Sequence, residues 1–265
     1  MKIIQISDTH LFATEHLTMF GVKTNIKLQE VIKNVTEEEI DADMIFLTGD
    51  ISQDETFQSY QKAVHYFSKL NIPIYWIPGN HDNVTQMEAA FKSDIKFIRT
   101  EQLSLPNWDF IFLNTKKEGT GLGYLSESDL QRLKNKLSIT ADKNIAIIMH
   151  HHPIEVGTPL IDHYILQNKS EFWDIVAGTQ VKLIMCGHVH GDYKLKYQNI
   201  MIESAPATCL QLQKGTQELK IDNQIGFKIY FFDENTYHTI SKMWLGNEVA
   251  CPSHPKNDLI STSSF

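Results

Sequence analysis

The chain has 265 residues, 42% of them hydrophobic, which suffices to bury the core of one α/β domain, and it carries a formal net charge of -8. That charge argues against nonspecific nucleic-acid binding, whose affinity comes from Lys and Arg neutralising phosphates, and no apolar run approaches the roughly 18 residues of a membrane span. The three cysteines, Cys186, Cys209 and Cys251, have an odd count and no CxxC spacing, so neither a disulfide framework nor a thiolate zinc site is indicated.

The N-terminus enters an apolar segment, Ile3, Ile4 and Ile6, too short for a signal peptide, and the expected location is cytoplasmic. This first strand, residues 3–7, delivers Asp8 and His10, which an extended backbone would turn to one side, so that a carboxylate and an imidazole could share an ion. Taken alone the pair also fits a solvated loop. A helical pattern over 26–39 leads to a strand at 44–48 and then Gly49-Asp50, whose carboxylate has two oxygens, enough to bridge two ions. A second helical pattern, 57–70, precedes a strand at 74–77 that runs into Gly79-Asn80-His81-Asp82. The Asn80 side-chain carbonyl is a neutral, hard ligand, and His81 beside it could touch substrate; the plainer reading is a turn capping the next helix.

Gly119, Gly121 and Gly123 form a GxGxG without the strand-to-helix context of a dinucleotide site, and read as a flexible loop. Beyond a helix at 127–137, a strand at 145–149 ends in His150-His151-His152, of which His150 is nearest the strand end and is the candidate ligand. A helix at 171–176 and a strand at 181–186 follow, then Gly187-His188-Val189-His190, two imidazoles spaced to reach different ions of a pair. Strand-like segments at 193–197, 200–203, 227–232 and 237–244 suggest a second sheet packed on the first. The organisation expected is one domain, 1–250, with a flexible tail, 251–265. Seven candidate ligands, Asp8, His10, Asp50, Asn80, His150, His188 and His190, thus fall at ends of expected parallel strands, where catalytic groups of α/β sheets gather.

The order DxH, GD, GNHD, H and GHxH resembles the calcineurin-like metallophosphoesterase superfamily, and within it the bacterial class III 3′,5′-cyclic AMP phosphodiesterases. The finer likeness is carried by Ile6-Ser7-Asp8-Thr9-His10-Leu11-Phe12, Phe20-Gly21-Val22, the triple histidine before Pro153, and Ala207-Thr208-Cys209. The resemblance implies an α/β fold, a four-layer αββα sandwich of two mixed sheets flanked by helices, with a dinuclear metal site at strand C-terminal ends. One divalent ion would take Asp8, His10, Asp50 and His190, the other Asp50, Asn80, His150 and His188; iron, manganese, magnesium, zinc and cobalt all suit such ligands. It also implies hydrolysis of 3′,5′-cyclic AMP to 5′-AMP by a metal-activated hydroxide, with Asp50 and His81 catalytic.

Substrate contacts are expected from His10, Asn80, His81 and His190, and from Asp162, His163, Asn168 and Thr208 in the loops outside the metal motifs. The partner that the resemblance implies is a small cyclic nucleotide; no nucleic acid and no membrane span are expected, and a homodimer is allowed. Many relatives carry an acid three positions after the bridging aspartate to orient the GNH histidine; this chain has Gln53 there and Asp54 next, leaving the partner of His81 open. Two other readings stand: a phosphoesterase for a different mono- or diester, and a non-catalytic protein-binding scaffold, against which retention of all seven ligands counts.

Overall fold

The computed structural model describes residues 1–39, 41–139 and 142–247. In chain order its elements are β1 (Lys2–Ile6), α1 (Thr24–Glu38), β2 (Met44–Thr48), α2 (Phe57–Phe67), β3 (Ile74–Ile77), α3 (Val84–Phe91), β4 (Phe97–Ile98), β5 (Gln102–Ser104) and β6 (Trp108–Phe112). There follow α4 (Glu127–Ile139), β7 (Asn144–Ile148), α5 (Pro159–Asp162), α6 (Lys169–Val176), β8 (Val181–Cys186), β9 (Lys194–Tyr197), β10 (Ile200–Ser204), β11 (Gln211–Leu212), β12 (Ile221–Asp222), β13 (Gln224–Phe232) and β14 (Tyr237–Leu245).

Strand alternation builds the layers. In β1 and β2, Ile4, Ile6, Ile45 and Leu47 point to one face, where Leu28, Val31, Ile32 and Val35 of α1 recur at helical spacing to meet them. On the opposite face Ile3, Met44 and Phe46 join Ala146 and Ile148 of β7, Leu183 and Met185 of β8, and Phe110 and Phe112 of β6 in a core between two sheets. The outer face of β7 and β8, through Ile145, Ile147 and Ile184, packs on Leu133 and Leu137 of α4 and Phe172 and Val176 of α6. Helix, sheet, sheet, helix is therefore the layering, each interface an apolar core of its own.

The first sheet runs β14-β13-β1-β2-β3-β4 and the second β5-β6-β7-β8-β10-β9, with a small β11-β12 pair besides. Strands β1 to β4 are parallel to one another, β13 is antiparallel to β1, and β14, antiparallel to β13, runs in the direction of β1 again; β6, β7, β8 and β10 are parallel, with β5 and β9 antiparallel at the edges. This corrects the expectation that the segments after His190 form the second sheet by themselves. Strand β13 is almost wholly buried and pairs with the free edge of β1, so the chain's end completes the first sheet, while β9 and β10 extend the second. The five strands that deliver the candidate ligands are consequently split, β1, β2 and β3 in one sheet and β7 and β8 in the other.

Sequence periodicity did not mark α3, which Asn83 starts by accepting a hydrogen bond from Gln86 N at 3.1 Å, nor β6, a fully buried strand with no alternation to read. No helix among the described residues is long and apolar enough to cross a membrane. The tail at 251–265, with Cys251, lies outside the described residues.

Candidate metal centre

The loops that leave β1, β2, β3, β7 and β8 meet where the two sheets' strand ends face each other. Asp8, His10, Asp50, His188 and His190 all adopt left-handed backbone, with φ of 55, 45, 51, 68 and 43°. For residues with a Cβ this conformation is uncommon and costs of order 1–3 kcal/mol each, and such strain gathers at functional sites. It also corrects the expected route: Asp8 and His10 converge through two left-handed bends, because β1 ends at Ile6, and not by alternation along an extended strand. The bends are held by backbone bonds from Asp8 N to Gly49 O (3.1 Å) and from His10 N to Asp50 O (3.0 Å), which lock the first loop onto the second. At Gly49, φ is 94° and an added Cβ would stand 2.6 Å from both Gly79 N and His150 Nδ1, so only glycine lets these loops close.

Asp50 is the centre. Its Oδ2 lies 3.2 Å from His150 Nε2 and 3.7 Å from His10 Nε2, and its Oδ1 accepts a bond from His81 N at 2.9 Å. On one side His10 Nε2 and His190 Nε2 are 3.1 Å apart, and His190 Nε2 is 3.7 Å from Asp8 Oδ1. On the other, His150 Nε2 is 3.2 Å from Asn80 Oδ1, and the His150 and His188 ring centroids are 5.1 Å apart. His188 N donates to Asp8 Oδ1 at 3.0 Å, tying the second sheet's loop to the first sheet's.

Hydrogen bonds at the far side of each ring fix which nitrogen faces inward. His190 Nδ1–H donates to Leu210 O at 3.0 Å and His150 Nδ1–H to Thr48 O at 2.8 Å, since a carbonyl only accepts; His10 Nδ1 meets Gln53 Oε1 at 2.7 Å. The inward Nε2 atoms of His10 and His190 thereby face each other as acceptors, and Nε2 of His188 is buried without a hydrogen-bond partner among the described residues. Lone pairs and carboxylates converging without a donor are what a cation satisfies. Among the described residues, four groups of three side chains each bring potential ligand atoms within 4.8 Å of one another, among them Asp8, Asp50 and His150, and His150, His151 and His188.

The electrostatics differ from group to group. Burial pulls His10 and His188 well below the ordinary imidazole range, leaving them neutral and able to ligate. Burial opposes ionisation of Asp50 too, but His150, His81 and His10 outweigh it and hold the carboxyl well below its usual range. Burial pushes Asp8 up against the pull of His190 and His150. His150 is raised to about 9, the nearby Asp50 carboxylate overcoming the cost of burial.

The other expected residues are placed less uniformly. Asp162 accepts from Val156 N at 2.7 Å and stands 3.5 Å from the buried His152, while His163 is exposed against Tyr164. Asn168 spends its amide on the backbone of Leu125, at 3.1 and 2.8 Å, and the Thr208 hydroxyl turns to Gly226 O at 3.4 Å. Gln53 orients His10, and Asp54 accepts from Ala13 N and Thr56, so neither is hydrogen-bonded to His81. Sequence reasoning overlooked Asp82, fully buried, which accepts from Ile51 N, Ser52 N, Gly79 N and the Tyr60 hydroxyl; burial and Asp50 raise it to about 6.

Residues 1–192 match the family model described as calcineurin-like phosphoesterase. Among curated proteins, the chain is 35% identical to a 3′,5′-cyclic adenosine monophosphate phosphodiesterase, CpdA, of Vibrio vulnificus over 84% of this chain and 81% of that one. It is 32% identical to a 3′,5′-cyclic-nucleotide phosphodiesterase of Nostoc, covering 86% of each chain. Among solved structures, GAP50, the anchor in the inner membrane complex of Plasmodium, superposes with a TM-score of 0.63 over 100% of this chain and 90% of that one, at 13% identity, a likeness of fold alone.

Proposed function

The chain belongs to the calcineurin-like phosphoesterase family, and from that premise we propose that it hydrolyses 3′,5′-cyclic AMP to 5′-AMP at a two-ion site. The observation that carries metal-dependent hydrolysis is the convergence of the inward Nε2 atoms of His10 and His190 and the unpartnered Nε2 of His188 on the Asp8 and Asp50 carboxylates. One ion is assigned to Asp8, His10, Asp50 and His190, the other to Asp50, Asn80, His150 and His188. When bound, two divalent cations supply Lewis acidity, acidifying a water towards neutral pH and offsetting the negative charge of the phosphoryl oxygens.

The chain's own groups do the rest. Asp50, with Oδ2 between His10 and His150, ties the two halves into one unit. Thr48 O, Leu210 O and Gln53 hold the imidazoles in the tautomer that presents Nε2. The His81 backbone is pinned on Asp50, which sets its ring edge-on to His10 at 5.0 Å, where it is available to a phosphoryl oxygen or to the leaving group. Water adds to phosphorus, the bond to the 3′ ribose oxygen breaks, and that oxygen takes a proton that His81 is suited to deliver. The cyclic nucleotide itself rests on the relatives, which are named for it over more than four-fifths of their length. A cytoplasmic location goes with this reading.

One observation favours a broader phosphoester range: Asn168 and Thr208, expected to read the nucleotide, spend their polar groups on Leu125 and Gly226. Chromatography of the products separates the two. Metal-loaded protein should convert 3′,5′-cyclic AMP to 5′-AMP with selectivity over bis-(p-nitrophenyl) phosphate; turnover of the aryl diester without 5′-AMP would establish the broader reading instead.

A further inference from the structure

The glycine-rich loop between β6 and α4 supplies none of the seven assigned ligands, yet three of its contacts converge on one half of the site. The first is Lys116. Its side chain is 6% exposed, its ammonium donates to the backbone oxygen of Asn80 at 3.1 Å, and the exposed Glu118 carboxylate lies 3.4 Å away as counter-charge. The second is the grip on His151. Nε2–H donates to Gly121 O at 3.1 Å, so Nδ1 carries the lone pair and accepts from the Thr115 hydroxyl at 2.8 Å. With both nitrogens engaged His151 is not available as a ligand, although its ring lies 4.6 Å from that of His188 and 5.0 Å from that of His150. The third is Gly123, where an added Cβ would stand 2.6 Å from His151 Cβ and Cγ, so the loop backbone presses directly on that ring.

The loop is itself braced. Lys116 and Gly123 form an antiparallel bridge, Tyr124 N donates to Thr115 O at 2.9 Å, and Gln167 N donates to Gly123 O at 2.8 Å. We propose that residues 115–123 are a positioning device for the second ion alone: Lys116 fixes the Asn80 loop, and His151, clamped by Thr115, Gly121 and Gly123, wedges the rings of His150 and His188 into ligating orientation. The proposal rests on the two-ion assignment above. The first half of the site is oriented by other groups, Gln53 and Leu210 O, so the loop's influence falls on one ion and not on both. Groups that orient metal ligands are worth about 10- to 100-fold in affinity.

The test is calorimetric titration of Mn²⁺ into metal-stripped protein. Wild type should bind two ions. Lys116→Met should keep the first and weaken the second by about 10- to 100-fold, Lys116→Arg, which keeps a charged donor, should recover part of that loss, and Gly123→Ala should show the same one-sided weakening. Circular dichroism checks each variant for folding; should Gly123→Ala not fold, the Lys116 pair decides. Equal weakening of both ions, no change, or tighter binding of the second ion in Lys116→Met, as loss of a repelling charge would give, overturns the proposal. Wild type that binds fewer than two ions would instead sink the two-ion reading itself.

Discussion

At His81 the backbone and the side chain have separate tasks. The N–H is spent on Asp50, while among the described residues no hydrogen bond holds the ring nitrogens. The ring also stands with His10 and Asp50 so that their potential ligand atoms lie within 4.8 Å, which leaves a ligand role to be separated from substrate contact. His81→Ala separates them. We expect it to retain both ions by elemental analysis and to slow turnover by about 10² to 10⁴, the range for a lost acid-base group; loss of an ion would make His81 a ligand. The seven candidate residues that meet in the structure could be picked out because each is a polar residue placed where an apolar run stops. What orients them was not legible. Thr48 O, Leu210 O and Gly121 O are backbone carbonyls, which every residue has, and the Gln53 side chain reaches His10 from 43 residues away. Only the replacement of an expected acid by Gln53 hinted that this position had changed its task.

Among the elements, the strand ends were readable and the strand partners were not. An apolar run such as residues 145–149 declares a buried strand, but nothing within it states which edge it joins, and β13 pairs with β1 across 231 residues from Phe232 to Met1. The joining of loop to loop is equally non-local, and Asp82 carries much of it. Its carboxylate collects N–H groups from the β2 loop at Ile51 and Ser52, from the β3 loop at Gly79, and the hydroxyl of Tyr60 on α2. Removal strands several buried donors at once, each worth about 1–3 kcal/mol unsatisfied. Asp82→Ala should therefore cost at least about 3 kcal/mol in a denaturant titration, with the Asp50 and Asn80 loops loosened and metal content reduced. Wild-type stability in this variant would mean that the backbone, and not Asp82, holds the two loops together.

The whole molecule is two sheets clasped by one apolar core and by one polar site, and the two are not equivalent. Phe46, Phe110, Trp108 and Tyr230 fill the space between the sheets and need no ion to do so. At the strand ends the opposing groups are carboxylates and imidazoles, Asp8, His10 and Asp50 from the first sheet against His150, His188 and His190 from the second, joined without cations by the bonds from His188 N to Asp8, from His150 to Thr48 O and from Lys116 to Asn80 O, and by the Asp50–His150 contact. Divalent ions bound there, as proposed, would act as a staple between sheets, and by linkage each would add about 2.7 kcal/mol at a concentration one hundred times its dissociation constant. For two ions that is roughly 5 kcal/mol, which in a domain of this size corresponds to a rise in Tm on the order of 10 °C or more. Metal-stripped protein should accordingly keep its far-ultraviolet circular dichroism, because the apolar cores persist, while melting earlier than loaded protein by that margin. An unchanged Tm after removal of both ions would mean that the loops are closed by their backbone bonds alone, and that the strained left-handed residues are supported by the fold without help from a cation.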